Sequence, residues 1–331
     1  SFFNEQEGKE LEQLFSDTTL IHDLKQLNAE IRMGMLDLSP QRAGVLKRLN
    51  EAGIPVVAWL LLPKEEGYWF HAGNAEEAFD RYYEIKKWAE DQHIHFSGIG
   101  IDLELDYKDA ELFKNNKLKL LGKVIRRLNQ KNDFLEAKEQ YKNLINTIRE
   151  DGYTVESYYI PFIRYEAEKG RTALQQASNF MDLKTDKDIP MLYTSFMGNP
   201  YGILKVLAID EDLKYVAIGS TGGGIDPSLP SMTWEDLSYD LRLAATTAEE
   251  IHIFCLEAAV EKGFIARLIN FDYDVPVKSY PEQVEAVNSM IENILLLSAF
   301  LSYPTLVFLG IILLFGIFIW LVYRLIRRSF S

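Results

Sequence analysis

Short apolar runs alternate with amphipathic stretches through most of the chain. Runs of strand length occupy 31–38, 54–63, 98–105, 153–162, 189–197, 215–221 and 251–257. Between them, apolar residues recur at helical spacing over 40–52, 75–92, 110–151, 165–183, 199–209 and 234–247, and 110–151 is long enough for two helices. The first of these stretches has clear punctuation, with Ser39 placed as N-cap, Pro40 at the first helical position and Gly53 as the stop. Strands alternating with helices predict parallel pairing in an α/β layer architecture. The near-continuous apolar run Ile54-Pro-Val-Val-Ala-Trp-Leu-Leu-Leu62 fits a sheet covered on both faces. These are seven strands, and residues 4–30 ahead of them read as mostly helical. A (β/α)8 TIM-type barrel closes with eight strands. The economical expectation is therefore such a barrel whose first strand lies upstream of Ser1, with an open doubly wound sheet as the alternative. No strand is followed by a glycine-rich phosphate loop, since Gly222-Gly-Gly224 lacks the residues of either nucleotide fingerprint.

The pattern changes at the C-terminus. Residues 294–323 carry no charged side chain, and 305–323 are densely apolar, long enough to cross a hydrocarbon core of about 30 Å as a helix. Trp320 and Tyr323 sit where interfacial aromatics belong, and Arg324, Arg327 and Arg328 follow at once. Basic flanks favour the cytoplasmic side, while Glu282, Glu285 and Glu292 precede the span. The expected organisation is a barrel domain over 1–275, a juxtamembrane helix or linker over 276–293, a transmembrane helix over 294–323 and a short basic cytoplasmic tail over 324–331. The barrel would then face outward from a cell membrane on a single C-terminal anchor. The chain opens on Ser1 without Met or a signal-like segment, so an outward domain implies a processed or truncated start.

Composition narrows the partners. With 331 residues and 47% hydrophobic content the chain can bury a large single core. A net charge of -14 argues against nucleic acid, which needs clustered Lys and Arg. Cys255 is the only cysteine and lies in an apolar run, where it reads as a small buried hydrophobe.

Candidate chemistry gathers on the third apolar run, Phe96-Ser-Gly-Ile-Gly-Ile-Asp-Leu-Glu-Leu-Asp-Tyr107. Residues i and i+2 of a strand point the same way, roughly 6.5–7 Å apart, so Asp102 and Glu104 share a face. Two carboxylates near the end of a buried strand raise each other's pKa, which is how a protein keeps a carboxylic acid protonated near neutral pH. A solvated strand end with two ordinary acids is the plain alternative. Barrel active sites collect at the carboxyl ends of the strands. Those ends supply Asp37, Trp59, Glu156, Tyr158, Tyr159, Tyr193, Ser195, Ser220, Thr221 and Glu257. Asp37 serves equally well as a cap for the helix after it. Trp69 and His71 occupy a loop that either stacks over the mouth or packs beneath neighbouring helices. His93 and His95 precede their strand and read as loop residues at the amino end. Carboxylates with aromatic platforms suit sugar chemistry, in which an acid of raised pKa protonates the glycosidic oxygen and a second group supports the oxocarbenium-like carbon. No Gly-x-Ser-x-Gly elbow and no His-rich or Cys-rich metal set is present in the sequence.

The central strand resembles the signature of family-18 glycoside hydrolases, the chitinase-like barrels, whose fourth strand carries Asp-Gly-x-Asp-x-Asp-x-Glu. The motif falls on Ser97-Gly-Ile-Gly-Ile-Asp-Leu-Glu104: Gly98, Asp102 and Glu104 match, and Ser97 and Gly100 replace two aspartates. The family's Met-x-Tyr-Asp falls on Met191-Leu-Tyr193-Thr194, with Thr in place of Asp, and its last-strand Trp has no counterpart. The resemblance implies Glu104 as general acid, Asp102 orienting an N-acetyl group that acts as internal nucleophile, and Tyr193 helping to hold it. In another carbohydrate-active barrel Glu104 and Glu257 would form the acid and nucleophile pair. The resulting expectation is a membrane-anchored glycoside hydrolase without cofactor or metal, with Glu104 and Asp102 catalytic. Tyr193, Trp59, Tyr158, Glu257 and Asp37 would bind a carbohydrate substrate. The alternatives are a silent glycan- or protein-binding barrel, and a metal-dependent hydrolase using Asp37, Asp102, Glu104 and Glu257 as oxygen ligands.

Overall fold

The computed structural model describes residues 1–222, 229–303, 309–310, 312–314 and 316–320. Eight strands close into one barrel: β1 Phe2–Asn4, β2 Ile31–Met35, β3 Val56–Leu60, β4 Gly98–Leu103, β5 Thr154–Tyr159, β6 Lys187–Leu192, β7 Tyr215–Gly219 and β8 Glu250–Phe254. Every pairing is parallel and sequential, and Phe2 opposite Ile253 joins β1 to β8. The expected (β/α)8 barrel is present, with one correction. Its first strand is not upstream of Ser1 but is the Phe2–Asn4 segment itself, three buried residues too short to show any alternation.

The helices form where capping and periodicity place them. α1 Gly8–Leu14 and α2 Thr18–Gln26 follow β1, and α3 Pro40–Ala52 follows β2. Ser39 accepts a hydrogen bond from the Arg42 amide at the start of α3, and Gly53 ends it in the left-handed conformation (φ +73°). α4 Ala75–Gln92 follows β3. The stretch expected as two helices after β4 forms three: α5 Tyr107–Asn115, α6 Lys117–Asn129 and α7 Lys131–Glu150. Asn116 and Gln130 interrupt the run, Asn116 capping α6 through the Lys119 amide. α8 Phe162–Glu168 and α9 Ala173–Ser178 cover β5.

Near the C-terminus, the helix Pro281–Leu301 is long and apolar enough to cross a membrane by length and composition. Its lower part docks on the barrel through buried Val287 and Ile291. It approaches so closely that a Cβ at Gly202 would lie 2.2 Å from the Gln283 carbonyl oxygen. Ser298 donates to Glu166 at 2.7 Å and Arg171 to the Leu295 carbonyl at 3.3 Å, so the helix stays tied to the barrel past residue 294. Within the expected span, 304–308, 311, 315 and 321–323 lie outside the described residues, as does the whole expected tail 324–331.

The barrel interior is layered. At the amino end, fully buried Arg32 on β2 meets Glu156 of β5 at 2.8 Å and Glu30 at 2.9 Å, and Lys187 of β6 bonds Glu250 at 2.7 Å. Above this lies an aromatic and aliphatic layer containing Phe3, Trp59, Tyr158, Ile189 and Met191. Phe3 sits at the centre, edge-on to Trp59 (5.2 Å) and to Tyr158 (4.8 Å).

Candidate active site

At the carboxyl end of the barrel a cavity of about 320 Å³ opens above this aromatic floor. Phe3, Trp59, Tyr158 and Phe254 floor it, Trp69, Tyr107, Tyr193 and Phe196 wall it, and Glu5, Asp102 and Glu104 supply its acidic groups.

The acids are placed by strand geometry. Asp102 ends β4 facing inward and is buried, with its Oδ2 accepting a 3.1 Å hydrogen bond from the Trp59 indole. Its Oδ1 is buried with no protein partner. Glu104, two residues on, is partly exposed to the cavity. Glu5 follows β1 directly and accepts a 2.9 Å hydrogen bond from the Tyr68 hydroxyl. Burial, reinforced by the Glu5 charge, pushes Glu104 up to about 8. Burial pushes Glu5 up to about 7, against the Tyr68 hydrogen bond and with help from Glu257. Asp102 is raised well above the usual carboxylate range by burial and by the Glu104 and Glu5 charges, with the Trp59 hydrogen bond acting the other way. The hydrogen bonds to Glu5 and Asp102 come from uncharged donors, the Tyr68 hydroxyl and the Trp59 indole. All three are therefore held above the ordinary carboxylate range, and Glu5 and Glu104 are the two that are partly exposed.

Five of the residues named from sequence meet Asp102 and Glu104 here: Trp59, Tyr158, Tyr193 and Ser220 line the same cavity, and Trp69 reaches it from the loop after β3. Tyr158 is fully buried, and its hydroxyl donates to Glu156 at 3.1 Å, so it contributes a ring edge rather than a free hydroxyl. Its position explains Gly100: a Cβ there would lie 2.3 Å from the Tyr158 hydroxyl. The Tyr158 ring fills the volume that the second aspartate of the family-18 motif would need. Thr194, at the other departure from that family, donates to buried Asp240 and points away from the three acids.

Two expected site residues lie elsewhere. Asp37 does not line the cavity. It accepts hydrogen bonds from the Ser39 amide and from Arg42, both at 2.9 Å. Burial raises its pKa, but these bonds outweigh burial and leave it lowered. It supports the start of α3, holding the N-cap residue Ser39 by its amide and pairing with Arg42, and so takes the structural one of its two expected roles. Glu257 is also outside the lining, held by the Asn4 amide at 2.9 Å and the Glu5 backbone N–H at 3.3 Å. The four acids considered as metal ligands are therefore not brought together. His71 is buried beneath the loop, contacting Asn179 and the Gly73 amide, and burial lowers it to about 4. His93 caps the end of α4, away from the mouth.

Glu5, Phe3, Tyr107 and Phe254 were not identified from sequence. Phe2-Phe-Asn-Glu5 does carry a signal, an apolar pair running straight into an acid as the third strand does, but it is too brief to register as a strand.

No family model matches the chain, and no curated protein matches it. Among solved structures, a GH18 chitinase from Pseudoalteromonas aurantia aligns over 74% of this chain and 95% of its own, at 9% identity and a TM-score of 0.45. A 3-keto-D-glucoside 4-epimerase from E. coli aligns over 81% of this chain and 97% of its own, at 14% identity and a TM-score of 0.45. A D-tagatose 3-epimerase-like protein covers 88% of this chain and 100% of its own, at 10% identity and a TM-score of 0.42. These are distant similarities in the course of the backbone. The closed eight-stranded sheet establishes the barrel, and only the side chains at its mouth bear on chemistry.

Proposed function

We propose that this chain is a glycan-processing enzyme that cleaves O-glycosidic bonds with Glu104 as the general acid. The observation that carries the reading is a carboxyl group with a pKa pushed up to about 8, facing an aromatic-walled cavity. A glycosidic oxygen leaves only when protonated, and an acid that keeps its proton at neutral pH supplies that proton. Asp102, with Oδ1 buried and unpartnered, would accept or donate one hydrogen bond to the substrate beside the reacting carbon. Glu5 takes the place that Glu257 was expected to hold, as the second carboxyl group supporting the oxocarbenium-like centre. Trp69, Tyr107 and Tyr193 would stack on pyranose faces. The apolar segment 294–323 would anchor the domain, with 324–331 cytoplasmic and the barrel outside.

Glu104→Gln tests the acid. With a panel of oligosaccharide and aryl-glycoside substrates, turnover should fall by about 10²–10⁴-fold while binding, read by calorimetry, persists. Retained turnover overturns the assignment, and turnover abolished by EDTA in the unsubstituted chain overturns metal-free acid catalysis. The raised acids favour catalysis over the silent glycan-binding reading, because binding alone gives no reason to raise the pKa of three carboxyl groups in one cavity.

A further inference from the structure

α6 reads Lys117-Leu-Lys-Leu-Leu-Gly-Lys-Val-Ile-Arg-Arg-Leu-Asn129 and contains no acid, in a chain of net charge -14. At 100° per residue, Leu118, Leu120, Leu121, Val124, Ile125 and Leu128 fall on one side and Lys119, Lys123, Arg126 and Arg127 on the other. A surface helix of a water-soluble domain turns its apolar side inward. α6 does so only in part: Leu120, Val124 and Leu128 are half-buried, whereas Leu118, Leu121 and Ile125 are left outside. Lys123 and Arg127 ion-pair with buried Asp109 of α5, which fastens the helix in this orientation. None of its residues is buried, and Leu118 is 83% exposed, Leu121 48% and Ile125 40%.

The apolar side is not isolated. Leu120 and Val124 line a groove of about 450 Å³ together with Phe113 of α5, Ile163 of α8, and Leu297 and Leu301 of the C-terminal helix. Beyond the groove that helix exposes Leu296, Phe300 and Tyr303, and Leu313 and Phe318 further on are equally open. The groove thus joins the apolar side of α6 to the C-terminal helix at Leu297 and Leu301, and α6 carries the exposed cations Lys117, Lys119 and Arg126.

We propose that α6 and the groove beside it lie in the interface of an anionic phospholipid bilayer, next to the C-terminal helix. The apolar side of such a helix sinks about 5–10 Å into the headgroup and acyl boundary. Lys and Arg near an anionic leaflet add electrostatic attraction to this apolar contact. α5 borders both the groove, through Asp109 and Phe113, and the cavity, through Tyr107, Ala110 and Glu111. The mouth of the barrel therefore opens at headgroup level, whatever reaction it performs.

The test uses the full chain in nanodiscs of phosphatidylcholine with phosphatidylglycerol. A nitroxide is attached at Leu118→Cys or Leu121→Cys, Cys255 being buried. Collisions with oxygen should exceed those with a water-soluble nickel chelate at both positions. A label at Glu12→Cys, exposed on α1, should show the opposite. Adding Lys119→Glu and Arg126→Glu should make the labels at 118 and 121 shallower. Labels at 118 and 121 as open to nickel as the one at 12 overturn the proposal. So do spin–spin broadening between copies, which marks a second chain on the surface, and shielding from both reagents, which marks a protein cover. A depth unchanged by the charge reversals overturns the anionic part.

Discussion

The two ends of the barrel bury acids by opposite means. At the amino end Glu156 and Glu250 meet Arg32 and Lys187, and the charges cancel in pairs. At the carboxyl end Glu5, Asp102 and Glu104 face aromatic rings, and burial raises the pKa of all three. A buried ion pair is held by its geometry and does nothing further. A buried proton can be given away. The same scaffold thus builds a fixed plug at one end and a reactive mouth at the other, and Tyr158 touches both.

The largest expected effect lies in the plug. Arg32→Met should cost about 3–5 kcal/mol in urea unfolding, because Glu156 is left buried with its main partner gone, and Glu156→Gln in the same chain should restore most of it. A loss below about 1 kcal/mol would mean that the two ends do not differ in this way. Next comes the junction. Gly100→Ala forces a methyl group onto Tyr158, which Glu156, Phe3 and Trp59 hold in place, and should cost about 1–3 kcal/mol as overpacking. Adding Tyr158→Leu should relieve part of that cost, and additive losses would show that the two sites do not touch.

The pH dependence sharpens the contrast at the mouth. Glu5 and Glu104 rise from about 4.5 to about 7 and about 8 on folding, so between those values the folded state binds more protons than the unfolded one. Stability is then greatest at the acidic side of the window and falls as pH rises toward 8. Thermal melts from pH 5 to 8 should show this decline, and Glu5→Gln with Glu104→Gln should flatten it. A wild-type profile that rises with pH would place unprotonated acids in the cavity. The smallest effect on turnover belongs to Asp37→Asn, outside the cavity, which should change it less than twofold while costing about 1–3 kcal/mol of stability, because its partner Arg42 is fully buried.

The barrel was legible because its longer strands are continuous apolar runs separated by capped amphipathic helices. Asp102 and Glu104 were legible because a strand's period of two puts them on one face. β1 was not, since three residues carry no period, and with it went Glu5, the acid whose charge raises Glu104. Asp37 and Glu257 misled for a shared reason: a strand end says which residues approach the mouth, but not which are claimed first by Arg42 or by Asn4. The break of 110–151 into three helices turned on Asn116 and Gln130, polar residues that a lysine-rich helix tolerates equally well in its interior.

The interlock at Gly100 has a consequence for anyone who would redesign this chain. An aspartate cannot be installed at 100 by one exchange, because the hydroxyphenyl group opposite already owns that volume and is itself fastened to a charged cluster deeper down. Such a change must be made together with a smaller residue at 158 and a new partner for the stranded glutamate. Libraries that vary single positions will report residue 100 as intolerant and miss the triple replacement that reaches it.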